Sequence, residues 1–161
     1  MSKFYLTTPI YYVNDKPHIG TAYTTILGDV ITRFRRSMGE DVFFLTGTDE
    51  HGQKVQQAAN KRGVDPQEHV NQYVKEFISL WKKLHINYDD FIRTTETRHT
   101  DRVKDLLTYL FDKGDIHKDE YEGLYSVSEE RFITEKEADE GDFKEIKKLK
   151  EINYFFRMSN Y

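Results

Sequence analysis

Two short stretches hold residue types that could do chemistry. The first is Pro17-His18-Ile19-Gly20-Thr21, where a loop turns into a helix. A helix N-terminus offers unpaired N–H donors and a partial positive charge, which together make an anion site. His18 and Thr21 are one helical turn apart and could direct donors at the same phosphate. Gly20, with no side chain, would let a flat ring or a phosphate approach the backbone. The second stretch is Leu45-Thr46-Gly47-Thr48-Asp49-Glu50-His51-Gly52, which sets three ionisable groups between two glycines. A carboxylate there could hold a substrate ammonium, with His51 as a hydrogen-bond donor. Each stretch also has a plain reading: an ordinary helix start for the first, and a polar turn with Asp49 as N-cap of a following helix for the second.

The elements that must position these residues follow from the apolar pattern. Phe4-Tyr5-Leu6 is a short β-prone run, and a loop carries the chain to Pro17. Ile19, Tyr23, Ile26, Leu27, Val30 and Phe34 then recur at helical spacing, and Gly39 supplies a stop. The run at 41–45 has the pattern of a strand buried on both faces of a parallel sheet. Strand, helix and buried strand make a βαβ unit, right-handed almost without exception. Its two loops therefore share the sheet's C-terminal edge, where open α/β sheets bind ligands.

Beyond Val64, Asp65 and Glu68 frame Pro66 as a capping pair, and Val70, Tyr73, Val74, Phe77, Trp81 and Leu84 draw an apolar stripe. Phe91–Thr94 is a further short strand, followed by a helix through Val103, Leu106, Leu107 and Leu110 to Gly114. From Asp115 to Glu151 the character changes, with 13 acids and seven bases among 37 residues. This segment predicts short strands with polar faces on the surface. Tyr154-Phe155-Phe156 predicts a return to packed structure.

Composition bounds the rest. With 161 residues the length prior gives about one domain. The chain has no cysteine, which excludes disulfides, thiolate zinc sites and cysteine nucleophiles. A net charge of −4 argues against a purely electrostatic nucleic-acid binder. The start does not look like a signal peptide, and no apolar run approaches the roughly 20 residues of a membrane span. A soluble, cytoplasmic chain is expected.

Thr8-Pro9-Ile10-Tyr11-Tyr12-Val13-Asn14, with 17–25 after it, closely resembles the opening of the methionyl-tRNA synthetases, which are class I aminoacyl-tRNA synthetases. The resemblance continues at 42–54, 89–96, 114–116, 121–125 and 153–157. It implies an α/β fold, the N-terminal half of a Rossmann-type parallel-sheet catalytic domain with a connective insertion. Residues 1–114 would be the nucleotide-binding half, 115–152 the insertion, and 153–161 the start of the return. It also implies activation of L-methionine with ATP and Mg²⁺ to methionyl-adenylate, then transfer to tRNA(Met). His18 and Thr21 fall on the two histidine positions that grip the ATP phosphates, with Gly20 under the adenine. Asp49 falls on the residue holding the methionine ammonium, Ile10 and Tyr12 fall on walls of the side-chain pocket, and His51 is taken with them as methionine-binding.

Three departures from the family pattern are present. Thr21 replaces a histidine. Ser126-Val127-Ser128-Glu129 stands where many members have a CxxC zinc knuckle, so no zinc is expected. The KMSKS loop and the anticodon-reading domain are not in this sequence, so the chain reads as an N-terminal piece, weakly active or inactive alone, whose partner is the missing C-terminal half. Two rivals are a non-catalytic half-synthetase module and a class I synthetase for another amino acid. Against the second stand Pro9-Ile10-Tyr11-Tyr12 and the 46–52 loop. Elsewhere Arg33, Arg35 and Arg36 read as a solvated helix face, His69, His85, His99 and His117 as surface or capping residues, Trp81 as core, and Lys144–Lys150 as a solvated hairpin.

Overall fold

The apolar runs at 4–6 and 41–45 do become parallel strands. The computed structural model describes residues 2–129, 131–143 and 145–161, which gather into two units, 1–102 and 103–161. In the first unit β1 (Lys3–Thr7), β2 (Tyr11–Tyr12), β3 (Asp41–Asp49) and β4 (Asp90–Arg93) form one parallel sheet. Leu45 pairs with both Thr7 and Asp90, and Thr48 with both Tyr11 and Arg93. β1 and β2 therefore share one edge of β3, and β4 takes the other. α1 (Ile19–Ser37) links β2 to β3, while α2 (Gln53–Arg62) and α3 (Pro66–Lys83) link β3 to β4. Both crossovers step in the same direction across the sheet, so the right-handed rule puts their helices on one face.

The core is accordingly one-sided. Phe44 clusters with Val13, Val55 and four members of the stripe expected of α3, Val70, Val74, Phe77 and Trp81, with Tyr73 partly buried beside them, while Leu84, also expected there, is exposed. Asp65 caps that helix by accepting from the Gln67 N–H at 2.8 Å, and Pro66 follows as its first residue. On the other face of the sheet the Tyr5 and Phe43 rings lie 5.9 Å apart, and Phe43 is 45% exposed. The expectation that this strand is buried on both faces is thus corrected.

α1 also departs from its pattern. Ile19, Tyr23, Ile26, Leu27, Val30 and Phe34 are all exposed, and the inward face is Thr21, Thr25, Gly28, Asp29 and Thr32. The cause is close approach: a Cβ on Gly28 would come within 2.8 Å of the Phe44 ring. The inward polar groups are satisfied locally. Thr25 Oγ1 donates to the Thr21 carbonyl at 3.0 Å and Thr32 Oγ1 to the Asp29 carbonyl at 3.0 Å. Asp29 accepts from the Asn87 N–H at 2.7 Å and from Arg33 at 2.5 Å. The three arginines of this helix are not simply solvated. Arg33 also reaches the His85 carbonyl, Arg35 pairs with Glu40, and Arg36 pairs with Asp89 at 2.6 Å.

The second unit is an antiparallel sheet in the order β6 (Arg131–Ile133), β5 (Ile116–Ser126), β7 (Ile146–Phe156). α4 (Thr97–Asp112) leads into it across the division between the units, and α5 (Glu135–Glu140) follows β6 with a capping box between Thr134 and Glu137. β5 and β7 are 11-residue strands, longer than the short strands expected. Their pairing is continuous from Ile116–Phe156 to Ser126–Ile146, with charges facing each other across the ladder. Lys148 meets Glu122 at 2.6 Å and Lys150 meets Glu120 at 2.8 Å, so the lysine run is one side of a cross-strand ion-pair ladder. Lys144 lies outside the described residues. β7 runs through the boundary expected at 152/153, and Tyr154-Phe155-Phe156 pair with Lys118-His117-Ile116. Where the strand ends, Tyr161, Lys113 and Asn160 hydrogen-bond the buried Asp115 and hold its carboxyl at about 2.

Gly47 marks the closest approach between strands, since a Cβ there would lie 2.0 Å from the Ile92 carbonyl oxygen. Gly47→Ala should therefore part β3 from β4 and lower stability by roughly 2 kcal/mol. Urea unfolding measures this, and an unchanged midpoint would show that β4 yields without cost.

Candidate active site

The loop from Thr8 to His18 and the first turn of α1 enclose a cleft of about 590 Å³, walled by Ile10, Tyr11, Tyr12, Asn14–Lys16, His18, Gly20, Thr21, Thr24 and Phe77. His18 is the N-cap of α1, in extended backbone conformation, and its Nδ1 accepts from the Gly20 N–H at 3.1 Å. An accepting Nδ1 leaves the ring's proton on Nε2, which remains a donor. Gly20 serves this cap, because a Cβ there would lie 3.0 Å from the His18 ring. The open side of the glycine is thus taken by the histidine's own ring. Thr21 lines the cleft but is only 5% exposed, being on the inward face of the helix.

Tyr11 is the inner anchor of the loop. Its hydroxyl is 2.8 Å from Thr25 Oγ1, and its ring packs on Phe77 and Trp81 at 6.2 and 6.0 Å. Asp49 ends β3, half-buried and in register with Tyr12. It does not cap the following helix, whose N-cap is Gly52 at φ +110. His51 is exposed, with Nδ1 3.1 Å from Thr94 Oγ1. Ile10, Tyr12, His18, Gly20 and Thr21 therefore meet in one cleft. Asp49 adjoins it through Tyr12, and neither Asp49 nor His51 is among its walls.

The residue between them does something the sequence did not suggest. Glu50, one of three ionisable groups in the loop, has its side chain entirely buried. Arg93 grips it with Nε at 2.7 Å and Nη2 at 2.9 Å. Thr48 and Thr95 donate to the same carboxylate at 2.6 and 2.5 Å, and the Glu50 N–H donates to Thr94 Oγ1 at 2.9 Å. Burial opposes the charge, but the hydrogen bonds from Arg93, Thr48 and Thr95 outweigh it and hold the carboxyl below its ordinary range. The available signal was Arg93 itself, the cation that closes the short strand Asp90-Phe91-Ile92-Arg93. His69, expected at the surface, is also buried, and lies between Arg62 and the Val13 carbonyl.

A family profile described as tRNA synthetases class I (M) matches residues 4–143. Among curated proteins, the methionine–tRNA ligase of Thermotoga maritima is 52% identical over 167 residues, covering 99% of this chain and 27% of its own length. That of Listeria monocytogenes is 48% identical over 172 residues, covering 98% and 26%. The chain thus spans about a quarter of the length of these relatives. Among solved structures, Mycobacterium tuberculosis methionyl-tRNA synthetase in complex with methionyl-adenylate superposes on all of this chain with a TM-score of 0.88 at 41% identity, over 33% of its own length. A LeuRS–tRNA–LeuAMS ternary complex from Agrobacterium radiobacter gives 0.83 at 20% identity, covering 99% of this chain and 22% of its own, and shares the fold.

Removing one partner from a buried ion pair leaves the other charge stranded. Arg93→Met should cost roughly 3 kcal/mol at neutral pH, and it should reverse the acid response. With Arg93 present the Glu50 carboxyl titrates low, so its contribution holds above the unfolded value of about 4.3 and is lost as pH falls through the folded one. Without Arg93, burial dominates and the folded carboxyl titrates high, so the variant should gain stability between about pH 7 and 5 while the parent does not. Denaturant midpoints across that range test this, and parallel profiles would refute it.

Proposed function

Because this chain belongs to the class I tRNA synthetases of the M type, we propose that it supplies the methionine- and ATP-handling part of a methionine–tRNA ligase. The observation that carries this reading is the single cleft joining the loop walls Ile10 and Tyr12 to the N-terminus of α1 with His18, Gly20 and Thr21. An apolar side chain and a triphosphate are the two things such a cleft suits.

In the proposed reaction a methionine carboxylate oxygen attacks the α-phosphorus of ATP in line. The bond from that phosphorus to the bridging oxygen breaks, and pyrophosphate leaves with the electron pair. Attack by a tRNA 3′-terminal hydroxyl on the methionyl carbonyl then gives methionyl-tRNA and AMP. Such chemistry needs positioning and preorganised donors, not an enzyme nucleophile. The His18 Nε2–H, the Thr21 hydroxyl and the free N–H groups of α1 would face the phosphates. Thr21 is shorter and uncharged where the family has histidine, and one missing transition-state donor typically costs about 3 kcal/mol. Asp49 would hold the methionine ammonium with His51 as a donor nearby, and Ile10 and Tyr12 would wall the thioether chain. Mg²⁺ would arrive on the triphosphate.

Zinc has no place in this reading. Ser126 and Ser128 lie 3.1 Å apart through their hydroxyls, and Ser126 Oγ accepts from the Glu129 N–H at 3.2 Å. That turn closes by hydrogen bonds, and hydroxyl oxygens are poor substitutes for thiolates. The exposed apolar stripe of α1 supports a further part of the proposal: the partner of this chain is the C-terminal portion of the same enzyme, with tRNA(Met) and methionine as substrates of the whole. Residues 115–152 would be its connective insertion. A cytoplasmic setting fits, and among the described residues no helix is long and apolar enough to cross a membrane.

Equilibrium dialysis with radiolabelled methionine, beside ATP–pyrophosphate exchange with leucine and cysteine as controls, tests the proposal. Saturable methionine binding is expected, with exchange slow or absent for the chain by itself. Asp49→Ala should weaken binding by about tenfold or more, the value of a charge-assisted hydrogen bond. Equal binding of leucine, or none of methionine, would overturn the reading.

A further inference from the structure

We propose that His69 is a positioning residue for the substrate cleft, acting through the backbone of Val13. The inference rests on the reading above, in which the loop at 10–16 walls the methionine and ATP site. His69 is 1% exposed. Its Nδ1 is 3.0 Å from Arg62 Nη1 and its Nε2 is 3.0 Å from the Val13 carbonyl oxygen. A guanidinium can only donate and a carbonyl can only accept. Nδ1 must therefore accept and Nε2 must carry the proton, so the two contacts together select one neutral tautomer.

Both partners are themselves fixed. Arg62 lies over the Tyr73 ring at 5.1 Å and also donates to Gln72, while the imidazole packs on the same ring at 4.6 Å. Val13 is wholly buried and follows Tyr12 directly. On the other side of Tyr12, Tyr11 is tied to Thr25 and rests on Phe77 and Trp81. Tyr12, 56% exposed, is thus held between two anchored neighbours, one fixed from α1 and one from α3. Asn14, Asp15 and Lys16, further walls of the cleft, hang from the same carbonyl. Losing the Val13 anchor would leave the core packing in place and loosen the loop, which lowers ligand affinity by raising the ordering cost of binding.

Two substitutions separate this role from simple packing. His69→Gln keeps an N–H for Val13 and a carbonyl oxygen for Arg62, whereas His69→Phe keeps only the ring on Tyr73. Methionine affinity by calorimetry should fall about tenfold in the Phe variant and stay within about threefold in the Gln variant, a size typical of losing an orienting partner behind a site. Should the Phe variant not fold, His69→Asn, too short to reach both partners, replaces it. Imidazole ¹⁵N shifts of the parent chain give a reading free of any variant, and a proton on Nε2 is expected. The proposal is overturned by parental affinity in the Phe variant, by equal losses in Gln and Phe, or by a proton on Nδ1. Absence of methionine binding in the parent would instead overturn the reading it rests on.

Discussion

Glu50 carries its carboxylate wholly out of water, and a buried charge costs several kcal/mol unless its oxygens are filled. Four groups fill them: two nitrogens of Arg93 and the hydroxyls of Thr48 and Thr95. These donors come from the C-terminal ends of β3 and β4 and the turn after β4, so satisfying one carboxylate fixes the relative position of all three. Arg93 then extends the constraint to α3 through Asn71 at 2.6 Å. Asp49 and His51 flank this residue, so their placement is set by it. An acid that looked available for substrate is thus consumed in holding its neighbours.

The same economy runs through α1. A helix that buried its large apolar residues would stand further from the sheet, since interaxial distance follows the side chains at the contact. Gly28 and a row of threonines bring α1 closer instead, and its N-terminus then opens directly onto the loop carrying Ile10 and Tyr12. Thr25 serves both purposes, being small enough for the close approach and polar enough to receive Tyr11. The apolar face left outside is the other side of that choice.

Much of the fold was legible in the sequence where one periodicity spoke alone. α3 shows this best: Asp65, Pro66 and the Val70–Trp81 stripe predict its start and its buried face, and no other force competes with hydrophobic burial there. α1 departs from its pattern because the same rule assumes that a helix buries its most apolar side, and here close packing through Gly28 wins. β5 and β7 were expected to be short because their apolar residues are few, yet their backbones pair without a break from Ile116–Phe156 to Ser126–Ile146. His69 and Glu50 were hidden for another reason. What buries them, Arg62 with Val13 for one and Arg93 with Thr95 for the other, lies seven to 56 positions away in sequence, and no local pattern announces such partners.

The cleft itself was legible from residue types, but the division of labour inside it was not. In sequence His18 reads as a phosphate donor paired with Thr21, and Gly20 as an open position for a flat ring or a phosphate. In the structure His18 and Gly20 form one device, in which the glycine's missing side chain admits the imidazole and its N–H fixes the ring. A histidine so held has one nitrogen committed and one free, which is what a phosphate donor at a helix terminus requires. In the proposed reaction, preorganisation of this kind would lower the entropic cost of the reactive geometry before any substrate arrives. It also explains why a substitution at Gly20 would act on the cleft through His18, by displacing a donor, and not by filling space a ligand would use.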